Sequence, residues 1–207
     1  MNLRDLFGLR PRVTLASLAK CCDRYGWHKY RLVDEPGEKE GALYTGWRSA
    51  PDDPGYALVI DPIVEKGCLC FRAPHLLYAP REETSTSRLL DLLVAIGHIN
   101  YSIILGKFVY DPSDGEVRFS VDVPIDANRV TYEQFRHVLN VVTAMVEQNV
   151  PLLKGILEGS KTLDDVIKAH GPGLELFRRL FEGLATAKSP GGGRHPTDHP
   201  DRVLTEV

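Results

Sequence analysis

The densest group of ionisable side chains in this 207-residue chain is D-P-S-D-G-E, residues 111–116, with Asp111, Asp114 and Glu116 between two apolar runs. Carboxylates this close suit a calcium loop or a catalytic acid–base pair. A calcium loop needs acidic or amide ligands at alternate positions ahead of a glycine, with a glutamate six residues on. Here Asp111 and Asp114 are three apart and Pro112 takes the second place, so the spacing fails. An acid–base pair needs a pocket that raises one pKa, which an exposed hairpin tip does not offer. Proline presets φ, aspartate accepts local backbone hydrogen bonds and Gly115 supplies a left-handed conformation, so the segment reads as a hairpin turn.

The thiols stand as Cys21-Cys22 and Cys68-x-Cys70. Adjacent or next-but-one cysteines in one helix or strand cannot readily bridge each other. Their spacing also lacks the two- to four-residue separation of zinc ligands. His28 and His75 are near in sequence, but small buried thiols are the simpler expectation. A nucleophilic pair of Cys68 or Cys70 with His75 or His98 rests on composition alone. His98 follows a helix end in this reading, where it would cap the dipole. His195-x3-His199 would align only on a helix, which the surrounding prolines oppose. No Gly-rich dinucleotide fingerprint, Walker loop, H-E-x-x-H or G-x-S-x-G occurs. Tyr101, Tyr110 and Tyr132 could stack on bases, but no basic residues interleave with them. No catalytic residue, cofactor or metal ligand is therefore assigned.

Composition narrows the partners. Hydrophobic residues are 43% and charged residues 26%, ordinary for a globular chain, and the formal net charge is −3. That balance gives no general attraction to nucleic acid or anionic lipid. No run approaches the roughly 18 apolar residues of a membrane span, and M-N-L-R-D-L-F-G-L-R-P-R lacks a signal peptide's apolar core. A cytoplasmic protein without nucleic-acid or membrane partners is expected.

The elements that would position any site begin with a helix over 13–25, capped by Thr14 and ended by Gly26. W-H-K-Y-R-L-V reads as a strand, D-E-P-G-E-K-E-G as a loop, and A-L-Y-T-G-W-R, G-Y-A-L-V-I-D-P-I and G-C-L-C-F-R-A as a meander. A helix follows over S-R-L-L-D-L-L-V-A-I-G-H-I. Its apolar residues cover most of its circumference, which predicts burial on two sides. Y-S-I-I-L-G-K-F-V-Y-D is extended in character. E-V-R-F-S-V-D-V alternates Val117, Phe119, Val121 and Val123 against Glu116, Arg118, Ser120 and Asp122, the pattern of a half-buried antiparallel strand. The next helix opens on the capping box Thr131-x-x-Gln134, carries a stripe from Phe135 to Val146, and is expected to end or kink at Pro151 before a short helical resumption. Two short amphipathic helices are predicted after 160, and 188–207 is too poor in apolar residues to fold.

The helix L-L-D-L-L-V-A-I-G-H-I-N, the hairpin G-K-F-V-Y-D-P-S-D-G-E-V-R-F-S-V-D-V-P-I and the helix V-T-Y-E-Q-F-R-H-V-L-N-V-V-T-A-M-V-E-Q-N-V-P-L-L resemble the YbjN family, which has the type III secretion chaperone-like fold. The first 80 residues follow the same order more loosely. The resemblance implies an α+β fold, a twisted antiparallel sheet with helices packed on one face in the order α-β-β-β-α-β-β-α, here followed by short C-terminal helices. It implies a usually dimeric protein with no catalytic motif, acting in sensory or stress regulation, on a fold whose relatives hold client segments. The expected organisation is a core over 1–158, a helical extension over 159–187 and a disordered tail. The expected activity is non-enzymatic binding of a protein client or regulatory partner, as a homodimer. Candidate contact residues are Leu89, Leu93, Phe135 and Leu139, for which the core is the favoured alternative, and Leu174, Phe177 and Phe181. The rival is a small-molecule or metal-dependent sensor or enzyme using cysteine and histidine.

Overall fold

The computed structural model describes residues 13–33, 41–50, 54–125 and 130–170. Helix α1, Leu15–Tyr25, starts where Thr14 and Ser17 cap each other: the Thr14 N–H donates to the Ser17 hydroxyl (2.9 Å) and the Ser17 N–H to the Thr14 hydroxyl (3.2 Å). Strands β1 (Arg31–Val33), β2 (Ala42–Trp47), β3 (Tyr56–Ile63) and β4 (Cys68–Tyr78) then run as an antiparallel meander. After helix α2 (Thr86–Ser102) the chain returns as β5 (Lys107–Tyr110) and β6 (Glu116–Pro124), and closes with α3 (Tyr132–Glu158) and α4 (Leu163–His170). The sheet order is β1-β2-β3-β4-β6-β5. The fold is α+β, as the sequence pattern implied.

Register makes the core. Leu43, Ile60, Phe71 and Val121 pair in succession across four strands, and each is fully buried. A second row, Ala73–Phe119–Phe108, follows beside it, with the two phenylalanine rings 4.9 Å apart. Helix α3 covers these rows with Phe135, Val138, Leu139, Val142 and Val146, and Phe135 meets Phe71 at 5.6 Å between ring centroids. The opposite face of the sheet is polar, with ion pairs Arg72–Asp61 (2.8 Å) and Lys107–Asp122 (3.5 Å). Alternation along β6 thus separates core from polar face as expected.

Several expectations need correction. The strand expected over 27–33 keeps only Arg31–Val33. Residues 101 and 102, expected to be extended, belong to α2, because the Ile103 N–H donates to the Ile99 carbonyl and the Ser102 hydroxyl to that of His98. Helix α3 does not stop at Pro151 and resume; it is one helix of 27 residues. Pro151 is solvent-exposed, as is Glu147, whose carbonyl loses its helical donor on the side of the helix open to solvent. Packing of Val146, Val150 and Leu153 on the other face carries the helix through. The expected helix holding Leu174, Phe177 and Phe181, the tail 188–207 and the loop 34–40 lie outside the described residues.

A candidate interaction face on the second helix

Helix α2 is buried on one side, not two. Leu92, Ala95, Ile96, His98 and Ile99 face the core. On the other side Leu90 is 59% exposed, Leu93 40% and Val94 49%. With Gly97 these fall at intervals of three and four residues, one helical stripe. A methyl group built on Gly97 would meet open space. Ile104, just past the helix, is fully exposed, and Tyr101 flanks the stripe. No charged side chain interrupts it: Arg88 and Asp91, the charged residues of the helix, lie elsewhere on its circumference.

The helix that presents the stripe is fixed at both ends. Near its start, the Arg88 guanidinium donates to the carbonyls of Ile156 (3.0 Å) and Leu157 (3.1 Å) in the last turn of α3. The Ile156 carbonyl also accepts from the N–H of the C-cap Gly159 (3.2 Å), and a cation at this helix end meets the negative end of the dipole. Near its end, the Asn100 amide pairs with one strand residue twice. Its oxygen accepts from the Phe108 N–H (2.7 Å) and its nitrogen donates to the Phe108 carbonyl (2.9 Å). Asn100 therefore satisfies the outer edge of β5 as a neighbouring strand would, which blocks strand addition there. At the opposite edge of the sheet, among the described residues, β1 has only β2 as a strand neighbour.

The residues that could have done chemistry sit apart. The hairpin is a turn: Asp111 accepts from the Ser113 N–H (2.9 Å) and hydroxyl (2.6 Å), Asp114 accepts from the Glu116 N–H (2.9 Å), and Gly115 adopts φ +81°. A side chain at Gly115 would strike the backbone of Ala79 and Pro80, against which the turn is docked. The serine hydrogen bonds hold the Asp111 carboxyl below its ordinary pKa, the opposite of what a general acid needs. Glu116 is the buried carboxylate of the three. It accepts from the His75 N–H (2.9 Å) at an irregularity in β4 where His75 has φ +54°. An adjacent Arg118 lies 3.4 Å away. That carboxylate holds a strained bulge in place, and no sequence pattern marked it.

Burial pushes the Cys22 thiol up to about 12. Burial and a hydrogen bond to Asp122 push that of Cys70 up to about 12 as well. Thiols so disfavoured as thiolates are poor nucleophiles and poor metal ligands. Cys70 and His75 stand five residues apart on one strand, roughly 16 Å at about 3.3 Å per residue. Among the described residues no group of three or more His, Cys, Asp or Glu side chains is placed to hold a metal ion. Tyr110 donates to the Ala79 carbonyl and Tyr132 lies under the Arg24 guanidinium, on separate elements from Tyr101. His98 is not a helix cap: it lies within α2, buried, against His170 of α4.

Of the contact residues expected from sequence, Phe135 and Leu139 lie wholly inside the core and Leu89 is partly buried against it, whereas Leu93 reaches the exposed stripe. Leu90, Val94 and Gly97, which complete the exposed stripe, were not singled out in the sequence. Periodicity shows that a helix is apolar all round but not which half its neighbours cover.

The sequence profile of the YbjN family, described as "Putative bacterial sensory transduction regulator", matches residues 14–154. Two solved structures are similar to the chain. One is YbjN from E. coli, described as "a putative transcription regulator", with 20% identity, a TM-score of 0.45, and coverage of 73% of this chain and 94% of that one. The other is the ExsC–ExsE complex, with 18% identity, a TM-score of 0.44, and coverage of 68% and 97%. No curated protein matches the chain. No helix among the described residues is long and apolar enough to cross a membrane.

Proposed function

The chain belongs to the YbjN family, and we propose that it is a non-enzymatic, protein-binding regulatory module of the cytoplasm that works as a homodimer. One observation carries this reading: the uncharged stripe of Leu90, Leu93, Val94 and Gly97 on a helix pinned at both ends. An apolar, uncharged surface is matched by another of the same kind, and a two-fold axis brings it a copy of itself. An antiparallel crossing at Gly97 sets Leu90 of one copy opposite Ile104 of the other and lets the backbones approach. Burying each of these aliphatic side chains gains roughly 1–2 kcal/mol. Summed over both copies, that is comparable to the roughly 4–15 kcal/mol cost of association. A client or regulatory partner has β1 as an edge for strand addition, because Asn100 closes the edge at β5.

The test is Gly97→Cys, a substitution into open space. If α2 crosses its copy at this point, mild oxidation joins two chains through residue 97, and adding Leu90→Glu with Val94→Glu abolishes the cross-link. Cross-linking that is absent, or that survives the two glutamates, contradicts the reading.

A further inference from the structure

Helix α4 follows the last residue matched by the family profile and lies alongside α2 and α3. Its hold is slight. Val166 is its one fully buried side chain, with Leu163 partly buried, and Thr162 and Asp165 cap its start reciprocally. At its far end His170 reaches into the protein. Its Nε2 lies 2.6 Å from Oδ1 of Asn149, a wholly buried side chain of α3 whose own Nδ2 donates to the Met145 carbonyl (2.9 Å). Since that oxygen accepts, His170 donates from Nε2, and a further proton would go to Nδ1. Edge-on to His170, with ring centroids 5.8 Å apart, lies His98 of α2, 8% exposed, with no hydrogen-bond partner for either ring nitrogen among the described residues.

We propose that His98, His170 and Asn149 form an acid-released latch, which holds α4 against α2 and α3 while both rings are neutral and lets it go when they take up protons. The apolar surface beneath Val166 is then uncovered next to the exposed stripe of α2. The proposal does not depend on the dimer.

Burial lowers the affinity of both rings for protons, and for His98 the neighbouring His170 adds to the effect. No carboxylate offsets it. On α2, Arg88 is engaged by α3 carbonyls and Asp91 is a further charge near the start of the helix. On α3, Lys154 pairs with Glu158, and Glu147 accepts from the Trp47 indole. On α4, Asp165 is committed to Thr162, leaving Asp164 and Lys168, with Lys161 before the helix; on β5 Lys107 pairs with Asp122. None of these perturbs either ring. A histidine whose pKa is lower when docked than when released favours docking fully above its released value, near pH 6.5, and loses that preference as pH falls below it. Each ring that charges only on release shifts the equilibrium by up to about tenfold per pH unit.

The experiment is a titration of the full chain from pH 8 to 5. Histidine ring resonances are followed by NMR, and amide exchange by mass spectrometry, corrected for its intrinsic pH dependence. His98 and His170 should titrate below the ordinary histidine value. Protection over 163–170 should fall at least tenfold between pH 7.5 and 5.5 while β6 stays protected. His98→Phe should reduce that acid dependence. Protection of α4 that does not change with pH, or its loss only together with β6, overturns the proposal, and the wild-type titration decides even where the variant fails to fold.

Discussion

Single side chains divide the molecule's chemistry from its architecture. Glu116, Asn100 and Arg88 each satisfy backbone groups that would otherwise be stranded: a bulge N–H, a strand edge and a helix end. Burial holds Cys21, Cys22 and Cys70 as thiols, and two of them have neighbouring carboxylates, Asp23 beside Cys22 and Asp122 beside Cys70. The shift has an outcome that can be read directly. With pKa values near 12, the native Cys22 and Cys70 should resist a thiol reagent at pH 8, whereas all four cysteines should react in denaturant, as mass spectrometry of labelled peptides would show. The D-P-S-D-G-E turn was legible because proline, aspartate and glycine act locally. The burial of Glu116 was not, since it depends on a bulge in a strand some forty residues earlier.

Elements were legible where the signal is repeated along the chain. The alternation in β6, the cap at Thr14 and the capping box at Thr131 gave strand and helix starts that the structure keeps. Pro151 misled because a local rule met a tertiary override: the helix is held from its buried side, and the proline faces water. A proline in a helix interior costs about 3 kcal/mol, less where its carbonyl partner is solvated and where it stiffens the unfolded chain. Pro151→Ala should therefore stabilise the fold by about 1–2 kcal/mol in urea denaturation. Arg88→Ala should do the reverse by about 1–2 kcal/mol, because two carbonyls of α3 lose a charged donor. Its far-ultraviolet circular dichroism should remain native.

At the scale of the whole molecule, the fold class and the family could be read from the order of elements and three quoted segments, and residues 14–154 carry both. The exposed apolar stripe could not. A helix apolar on all sides implies two covered faces, and only the packing shows that α2 has one, with Leu90, Leu93 and Val94 left outward. An uncharged face on a rigid helix is the feature that a copy of the chain would bury. Sedimentation equilibrium of the native chain beside Val94→Glu at micromolar concentrations measures this most directly. The account predicts a dimer mass for the native chain and a folded monomer of 23.1 kDa for the variant. A native chain that stays monomeric, or a variant that stays dimeric, would contradict it.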